Sequence, residues 1–170
     1  MKLFVSIFLL SFGYSNLVSG QSTYTQKFSV NSQLKVMIES PDNFMTLEIY
    51  NNVNDSIQLL TNYNIFETDN PISCTVADYN FDGNKDFSLS YEHEGNTWFH
   101  IFLFNPLHTE FVRLYTPNSS KAMCNGFSNI TIDSQKKRLL STCKNEDNEV
   151  STDVWIITAD GTAEYAGKKK

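Results

Sequence analysis

The run "FSLSYEHEGNTWFHIFLFNP", Phe87 to Pro106, carries the clearest fold signal in the chain. Apolar residues at every second position of "FSLSY" (87–91) alternate with serines, which is the period of a strand with one buried face. The segment "WFHIFLF" (98–104) is apolar on nearly both faces and rich in aromatic residues, as expected of a central strand that is covered on two sides. Asn105 and Pro106 end this strand, because proline cannot donate to a strand ladder. The run therefore predicts a well-packed β-sheet.

The period of two continues outward from this run. In "NFMTLEIYNN" (43–52) it puts Met45, Leu47 and Ile49 on one face of a strand. Counted along the chain, the pattern predicts about eight to ten strands and no amphipathic helix beyond the N-terminal apolar run. We therefore expect an all-β domain, built as an antiparallel sandwich or a propeller-like sheet stack. The other predicted strands are "LKVMIE" (34–39), "EFVRLY" (110–115), "FSNITID" (127–133), "KRLLST" (137–142) and "DVWIITA" (153–159).

The chain is long enough for one packed domain, and it is acidic. Its 170 residues are 41% apolar and 14% aromatic, and its formal net charge is −6. Loss of an N-terminal segment that carries Lys2 changes this charge to −6 − 1 = −7. An acidic surface repels nucleic acid and anionic membranes, so neither is an expected partner. The basic run at 168–170 is interpreted as a solvated tail.

The first twenty residues have the pattern of a secretory signal peptide. Lys2 precedes an apolar run from Leu3 to Phe12, and the segment ends at the small residue Gly20. A membrane anchor needs roughly 18 unbroken apolar residues, and polar residues interrupt this run too early. The sequence thus predicts a signal peptide at 1–20 and one exported domain at 21–170, periplasmic or secreted, with no later membrane span.

The stretch "DYNFDGNKD" (78–86) has the spacing D-x-N-x-D-G-x-x-D of a calcium loop. Calcium takes about six to eight oxygen ligands, which alternate positions of one tight loop can supply. Gly83 fills the sixth position, where the sharp turn needs a residue that tolerates positive φ. The predicted ligands of the ion are the side chains of Asp78, Asn80, Asp82 and Asp86 and the backbone carbonyl of Asn84.

The same loop departs from an EF-hand at position twelve, where Leu89 replaces the bidentate glutamate. With strand patterns on both sides, a strand–loop–strand arrangement is expected instead. An alternative is a polar turn without metal, because Asp, Asn and Gly favour turns. However, three carboxylates within nine residues repel one another unless a cation neutralises them. We therefore expect bound calcium that braces the fold rather than reacts.

Three cysteines follow the signal segment, and export favours pairing two of them. Cys124 and Cys143 bracket two strand patterns joined by a turn, and folding of that hairpin brings its ends together. This pair is preferred over any pairing with Cys74, which closes a loop of higher entropy cost. Cys74 is then expected to be a buried free thiol.

The loop "DYNFDGNKDFSLS" (78–90) resembles the calcium loops of integrin-type and other β-propeller repeats. The longer run from Asp78 to Val112, with the later hairpin "NITIDSQKKRLLS" (129–141), is similar to a group of bacterial exported proteins with a single such loop. That group includes immunity proteins that neutralise lysozyme-like effectors of antibacterial type IV secretion, related in structure to periplasmic lysozyme inhibitors. The resemblance, which spans 78–141, implies a β protein whose partner is a lysozyme-like hydrolase.

Catalysis is not expected from this sequence. It contains no G-x-S-x-G elbow, no H-E-x-x-H helix motif and no phosphate loop. Glu92 and Glu94 are interpreted as part of a solvated turn rather than as a catalytic carboxylate pair. Three non-enzymatic functions remain: inhibition of a lysozyme-like hydrolase, calcium-dependent carbohydrate or surface adhesion, and a structural role in the envelope.

An inhibitor of this kind would meet a cationic partner, because the substrate of cell-wall hydrolases is anionic. The acidic segments "EHEGN" (92–96) and "KNEDNE" (144–149) are the candidate contact surfaces. Either segment taken singly also fits a solvated turn. The predicted partner-binding side chains are Glu92, Glu94, Glu146, Asp147 and Glu149.

Overall fold

A computed structural model describes residues 23–61, 71–116, 121–124, 126–144, 149–158 and 160–169. The predicted signal peptide lies outside these residues. Within them, twelve strands form three antiparallel sheets of four strands each, and no residue lies in a helix. No helix of the described part is therefore long and apolar enough to cross a membrane. The all-β prediction is confirmed.

Each sheet is a meander, because every strand pairs with the next strand in the chain. The first sheet contains β1 (Tyr24–Ser29), β2 (Lys35–Ser40), β3 (Thr46–Tyr50) and β4 (Ser56–Thr61). The middle sheet contains β5 (Ser73–Ala77), β6 (Asp86–His93), β7 (Asn96–Asn105) and β8 (Glu110–Leu114). The last sheet contains β9 (Thr131–Asp133), β10 (Arg138–Lys144), β11 (Val150–Ile157) and β12 (Ala163–Lys168).

Strand β7 explains why the three sheets stack. Phe102 and Phe104 belong to the core shared with the first sheet, whereas Ile101 and Leu103 belong to the core shared with the last sheet. Successive side chains of a strand point to opposite faces, so a strand that is apolar throughout must be covered twice. The prediction of a central strand at 98–104, covered on two sides, is confirmed.

Aromatic side chains dominate both cores. On the face of the middle sheet that covers the first sheet, the rings of Phe87 and Phe102 stack with centroids 4.7 Å apart. Between the middle and last sheets, Trp155 packs edge-on against Phe127 and Tyr165, at 5.9 Å and 5.6 Å. Burial of each large apolar side chain contributes about 1.5–3 kcal/mol, so these rings account for much of the attraction between the sheets.

The structure corrects one face assignment and adds four strands. Leu47 and Ile49 are buried as predicted, but Met45 is 71% exposed. Asn43 and Phe44 both have positive φ, at 54° and 65°, and the resulting turn buries Phe44 instead. The strands that the sequence did not predict are β1, β4, β5 and β12.

The middle and last sheets are joined by a short shared segment, residues 127–129. Strand β8 pairs only with the second half of β7, which leaves one edge of the first half open. The segment fills that edge: the amide of Phe99 donates to the carbonyl of Phe127 at 2.9 Å, and the amide of Asn129 donates to Thr97 at 2.8 Å. On its other side, the amide of Thr142 in β10 donates to Ser128 at 2.8 Å. The two sheets are thus continuous at this end.

Candidate calcium loop and acidic end

The predicted calcium loop connects β5 to β6, so the expected strand–loop–strand arrangement is confirmed. The loop packs against the β1–β2 turn of the first sheet. The amide of Lys85 donates to the carbonyl of Val30 at 2.7 Å, and Asn31 Nδ2 donates to Asn84 Oδ1 at 2.9 Å. The loop therefore joins the first sheet to the middle sheet.

Short polar side chains of the loop bind its own backbone. Asp78 accepts hydrogen bonds from the amides of Asp82 and Gly83, at 3.2 Å and 3.0 Å. Asn80 Oδ1 also accepts from the amide of Asp82 at 3.2 Å, and Asp82 accepts from that of Asn84 at 2.7 Å. Gly83 has φ of 91°, a value that residues with a Cβ rarely adopt. The sixth position thus needs glycine, as the sequence predicts.

Asp86 closes the loop from inside the protein. Its side chain is fully buried, and it accepts hydrogen bonds from the amides of Tyr79 and Phe104, at 2.7 Å and 2.8 Å. Burial raises the pKa of this carboxyl to about 7, against the two hydrogen bonds, which lower it. The charges of Asp82 and Asp78 raise it further. Asp86 therefore fixes the start of β6 to the end of β7.

The donor set of the loop consists of oxygen atoms only, which suits a hard cation such as calcium. Among the described residues, no three His, Cys, Asp or Glu side chains gather as a metal-binding group. Both oxygens of Asp86 accept from backbone amides of neighbouring segments, while Asp78 and Asp82 accept from backbone amides within the exposed part of the loop. Calcium in this loop is therefore a proposal that rests on donor chemistry and spacing.

The first acidic segment forms the turn between β6 and β7. His93 pairs with Asn96, which leaves Glu94 and Gly95 as a two-residue loop with φ of 50° and 73°. Two positive φ values define the tight I′ turn that matches the twist of a hairpin. The side chains of His93 and Glu94 are 60% and 83% exposed. Glu92 is also exposed and accepts a hydrogen bond from the hydroxyl of Thr97.

Asn96 connects this turn to the second acidic segment. Its Oδ1 accepts hydrogen bonds from the backbone amide of Lys144, at 3.3 Å, and from Asn129 Nδ2, at 3.1 Å. Asn129 also accepts from the amide of Thr97 at 3.1 Å and donates to the carbonyl of Thr142 at 2.8 Å. We call Asn96 and Asn129 the asparagine clamp. The clamp places the turn at 92–96 and Lys144, the first residue of the second acidic segment, at one end of the molecule, here called the acidic end.

The acidic end carries charges of both signs. Glu149 is exposed at the start of β11, whereas Glu146 and Asp147 lie outside the described residues. Lys168 and Lys169 line a cleft beside Glu149, so part of the basic run belongs to this end rather than to a separate tail. Strand β6 runs between the two candidate sites, with Asp86 at one terminus and the turn at the other.

The predicted disulfide between Cys124 and Cys143 is present, with Cα atoms 5.5 Å apart. Buried Asp153, which the sequence analysis did not single out, accepts hydrogen bonds from the amides of Met123 and Cys124, at 2.8 Å and 2.7 Å. Cys74 is a free thiol, partly exposed rather than fully buried, and desolvation raises its pKa to about 11.

Comparison of the chain with models of known protein families, with curated proteins and with solved structures gives no match. The resemblance of residues 78–141 to exported immunity proteins therefore stays a prediction. A contact such as that between Asn96 and Asn129 is not visible in the sequence, because thirty-three residues separate the two side chains. Asn96 follows a turn pattern and Asn129 lies inside the predicted strand at 127–133, and neither position indicates the contact.

Proposed function

We propose that the chain is an exported binding protein that inhibits a cationic, lysozyme-like cell-wall hydrolase. The acidic end covers the substrate cleft of the enzyme. The observation that supports this proposal is the hydrogen bond between Asn96 and the amide of Lys144, which unites two segments that are each ambiguous alone. A specific interface usually takes about 800 Å² from each partner, so two neighbouring segments supply more of that area than either one alone.

The rigidity of the turn at Glu94 and Gly95 favours binding. A two-residue turn at Glu94 and Gly95 has little freedom to lose, and the asparagine clamp holds its base. Association pays for the ordering of loops, so a surface that is already ordered binds more tightly than a flexible one. No chemistry by this chain is needed for such inhibition.

Charge supplies the attraction between the partners. Five carboxylates of the two segments and the chain's net charge of −6 attract a cationic enzyme over distance. Lys168 and Lys169 beside Glu149 oppose part of this field. The mixed pattern would fix the orientation of the partner, while the net charge raises the association rate at low salt.

Calcium in the loop at 78–86 has a bracing role in this proposal. The loop holds the first sheet against the middle sheet, at the opposite end of β6 from the acidic turn. The ion would therefore stabilise the scaffold without touching the partner.

A carbohydrate-binding module is the competing function. Such modules present exposed aromatic rings on which sugars stack. Among the described residues, Tyr115 is the large exposed aromatic side chain, at 67%, with Arg113 4.9 Å above its ring. One exposed ring does not form the row of aromatic side chains on which a sugar chain stacks, so this observation favours inhibition over sugar binding.

The deciding experiment titrates the mature domain into a panel of purified cationic lysozymes and lytic transglycosylases and follows lysis of peptidoglycan. Glu94→Gln should weaken inhibition by slowing association, more at low salt than at high salt. Glu164→Gln is the matched control, because Glu164 is exposed at the opposite end of the last sheet. Binding to a purified glycan without inhibition of any enzyme in the panel would overturn the proposal.

A further inference from the structure

The first sheet covers the middle sheet with only one of its two faces. Its inward side chains, among them Ile38, Leu47 and Ile49, belong to the core between these sheets. The side chains at the alternate positions point the other way, and none of them belongs to either core. We call this second surface the outer face. Its central side chains are Lys27, Lys35, Met37, Glu39, Glu48 and Tyr50.

One half of the outer face carries two glutamates that repel each other. Glu39 and Glu48 lie directly opposite one another on β2 and β3. Like charges in such a cross-strand pair destabilise a sheet. Among the described residues neither glutamate forms an ion pair, and the hydroxyl of Tyr50 donates a hydrogen bond to Glu48. This half of the face therefore presents uncompensated negative charge to a cationic partner.

The other half of the outer face carries two lysines beside a groove. Lys27 on β1 and Lys35 at the start of β2 are exposed, and both line a groove of about 560 Å³. Within the described part of the chain, neither lysine forms an ion pair. Met37 also lines the groove and lies midway between Lys35 and Glu39, which are roughly 13 Å apart along β2. The opposite charges thus lie on either side of Met37.

We propose that the outer face is the contact surface of a homodimer, in which two copies of the chain pack their first sheets face to face. A two-fold axis that lies between the two faces and passes near Met37 exchanges the acidic and basic halves. The glutamates of each copy then lie over the lysine groove of the other, so each charged contact occurs twice. Met37 and Tyr50, which are paired across β2 and β3, lie at the centre. This inference does not depend on the function proposed above.

The size of the outer face makes this dimer weak and reversible. Four strands of five or six residues, spaced about 4.8 Å apart, span a flat area of roughly 400 Å². This area is about half of the roughly 800 Å² that each partner contributes to a standard interface. The dimer should therefore form at high protein concentration and at low salt, where the charges are least screened.

Sedimentation velocity of the mature domain at low and high salt tests the proposal, over concentrations from about 10 µM to about 1 mM, the range in which weak association is populated. The dimer fraction should increase with concentration and decrease with salt. Lys35→Glu or Glu48→Lys alone should raise the Kd of dimerisation by about tenfold or more, because like charges then face each other. Lys136→Glu is the matched control, since it makes the same charge change in the exposed turn between β9 and β10.

An equimolar mixture of the Lys35→Glu and Glu48→Lys variants should dimerise more strongly than either variant alone. In the mixed dimer, the two glutamates kept by the first variant lie over the two lysines kept by the second. Near-UV circular dichroism verifies that the cores of both variants are packed, and the rescue by mixing shows that their faces are intact.

A wild-type chain that stays monomeric at every concentration in low salt would overturn the proposal. So would a dimer that neither substitution weakens, because another surface must then form it. If the monomeric chain instead shows shifts of the Lys27 and Lys35 amide signals with inorganic phosphate, the groove binds a small anion and the homodimer is ruled out.

Discussion

Asp86 Oδ1 accepts a hydrogen bond from the backbone amide of Phe104 at 2.8 Å, and this contact joins the loop at 78–86 to the far end of β7. The two residues are eighteen positions apart and belong to neighbouring strands. The loop is thereby attached to the central strand of the molecule, which both cores cover. Substitutions in the loop should consequently change the free energy of unfolding of the whole protein.

Asp86→Asn should destabilise the protein by about 1–3 kcal/mol, because the amide group can accept at only one of two positions and leaves a buried N–H without a partner. Urea denaturation in the presence of a chelator measures this effect. Asp82→Asn is the matched control, since Asp82 is exposed and its loss should cost much less under the same conditions. Equal costs for the two variants would contradict the role assigned to Asp86.

Calcium should raise the free energy of unfolding if it binds only the folded loop. At a free concentration about 100-fold above Kd, the gain is about 2.7 kcal/mol. Thermal melts of the mature domain with calcium and with chelator give the measurement, and Asp82→Ala, which removes one charged ligand oxygen, should abolish the difference. A melting temperature that chelator leaves unchanged, in protein shown beforehand to contain the metal, would rule out the site.

Cys74 should react slowly with thiol reagents at pH 8 and faster as the pH approaches 11. Burial raises the pKa of its thiol from 9.0 to about 11, so the folded chain keeps a proton that the unfolded chain has lost between these values. The contribution of Cys74 to stability is therefore complete below pH 9 and declines as the pH rises toward 11. Labelling of the oxidised protein with and without urea checks this, and equal rates in both would contradict it.

Asn129→Ala should destabilise the acidic end through two separate causes. The side chain holds the amide of Thr97 and donates to Asn96, and its backbone φ of 42° is unfavourable for alanine. Asn129→Gly keeps that φ available and removes only the side chain, so the difference between the two variants isolates the backbone term. We expect a loss of about 1–3 kcal/mol for the glycine variant, measured by urea denaturation. A neutral glycine variant would mean that the clamp is dispensable.

Removal of the cross-link by Cys124→Ser with Cys143→Ser should cost about 3 kcal/mol, the value expected for a loop of this size. The two cysteines are nineteen residues apart. Cys74→Ser serves as the control for loss of a thiol without loss of a bond. Equal stability of the two variants would show that the hydrogen bonds of Asp153 alone hold this segment.

Local patterns predicted those parts of the fold that depend on neighbours in sequence. The run at 98–104 predicted its own burial on both faces because side-chain alternation is a property of the strand itself. The hairpin between Cys124 and Cys143 predicted the disulfide because folding of a hairpin brings its two ends together. Strand β5 was missed because Cys74 and Val76 are too few alternating apolar positions to establish a period, and their partial burial comes from the core between the first and middle sheets.

The candidate site was predictable as two separate pieces but not as one surface. Glu94 and Glu149 were both identified from charge, yet only the clamp formed by Asn96 and Asn129 shows that their segments meet. Asp153 was likewise missed, since a carboxylate at the start of "DVWIITA" resembles any polar position of a strand. Contacts between distant residues carry no periodic signal, and they decide the site.

Because of the segment at 127–129, the three sheets are attached to one another with unequal strength. Its backbone hydrogen bonds, on both of its sides, join the middle sheet to the last sheet. The first sheet, by contrast, is attached by side-chain packing, by the contacts of the loop at 78–86 and by the hydrogen bonds of Gln58 with the backbone of Phe111. Packing alone yields more readily than a shared ladder. The last two sheets should therefore unfold together as one cooperative foldon. The first sheet should detach and unfold before them.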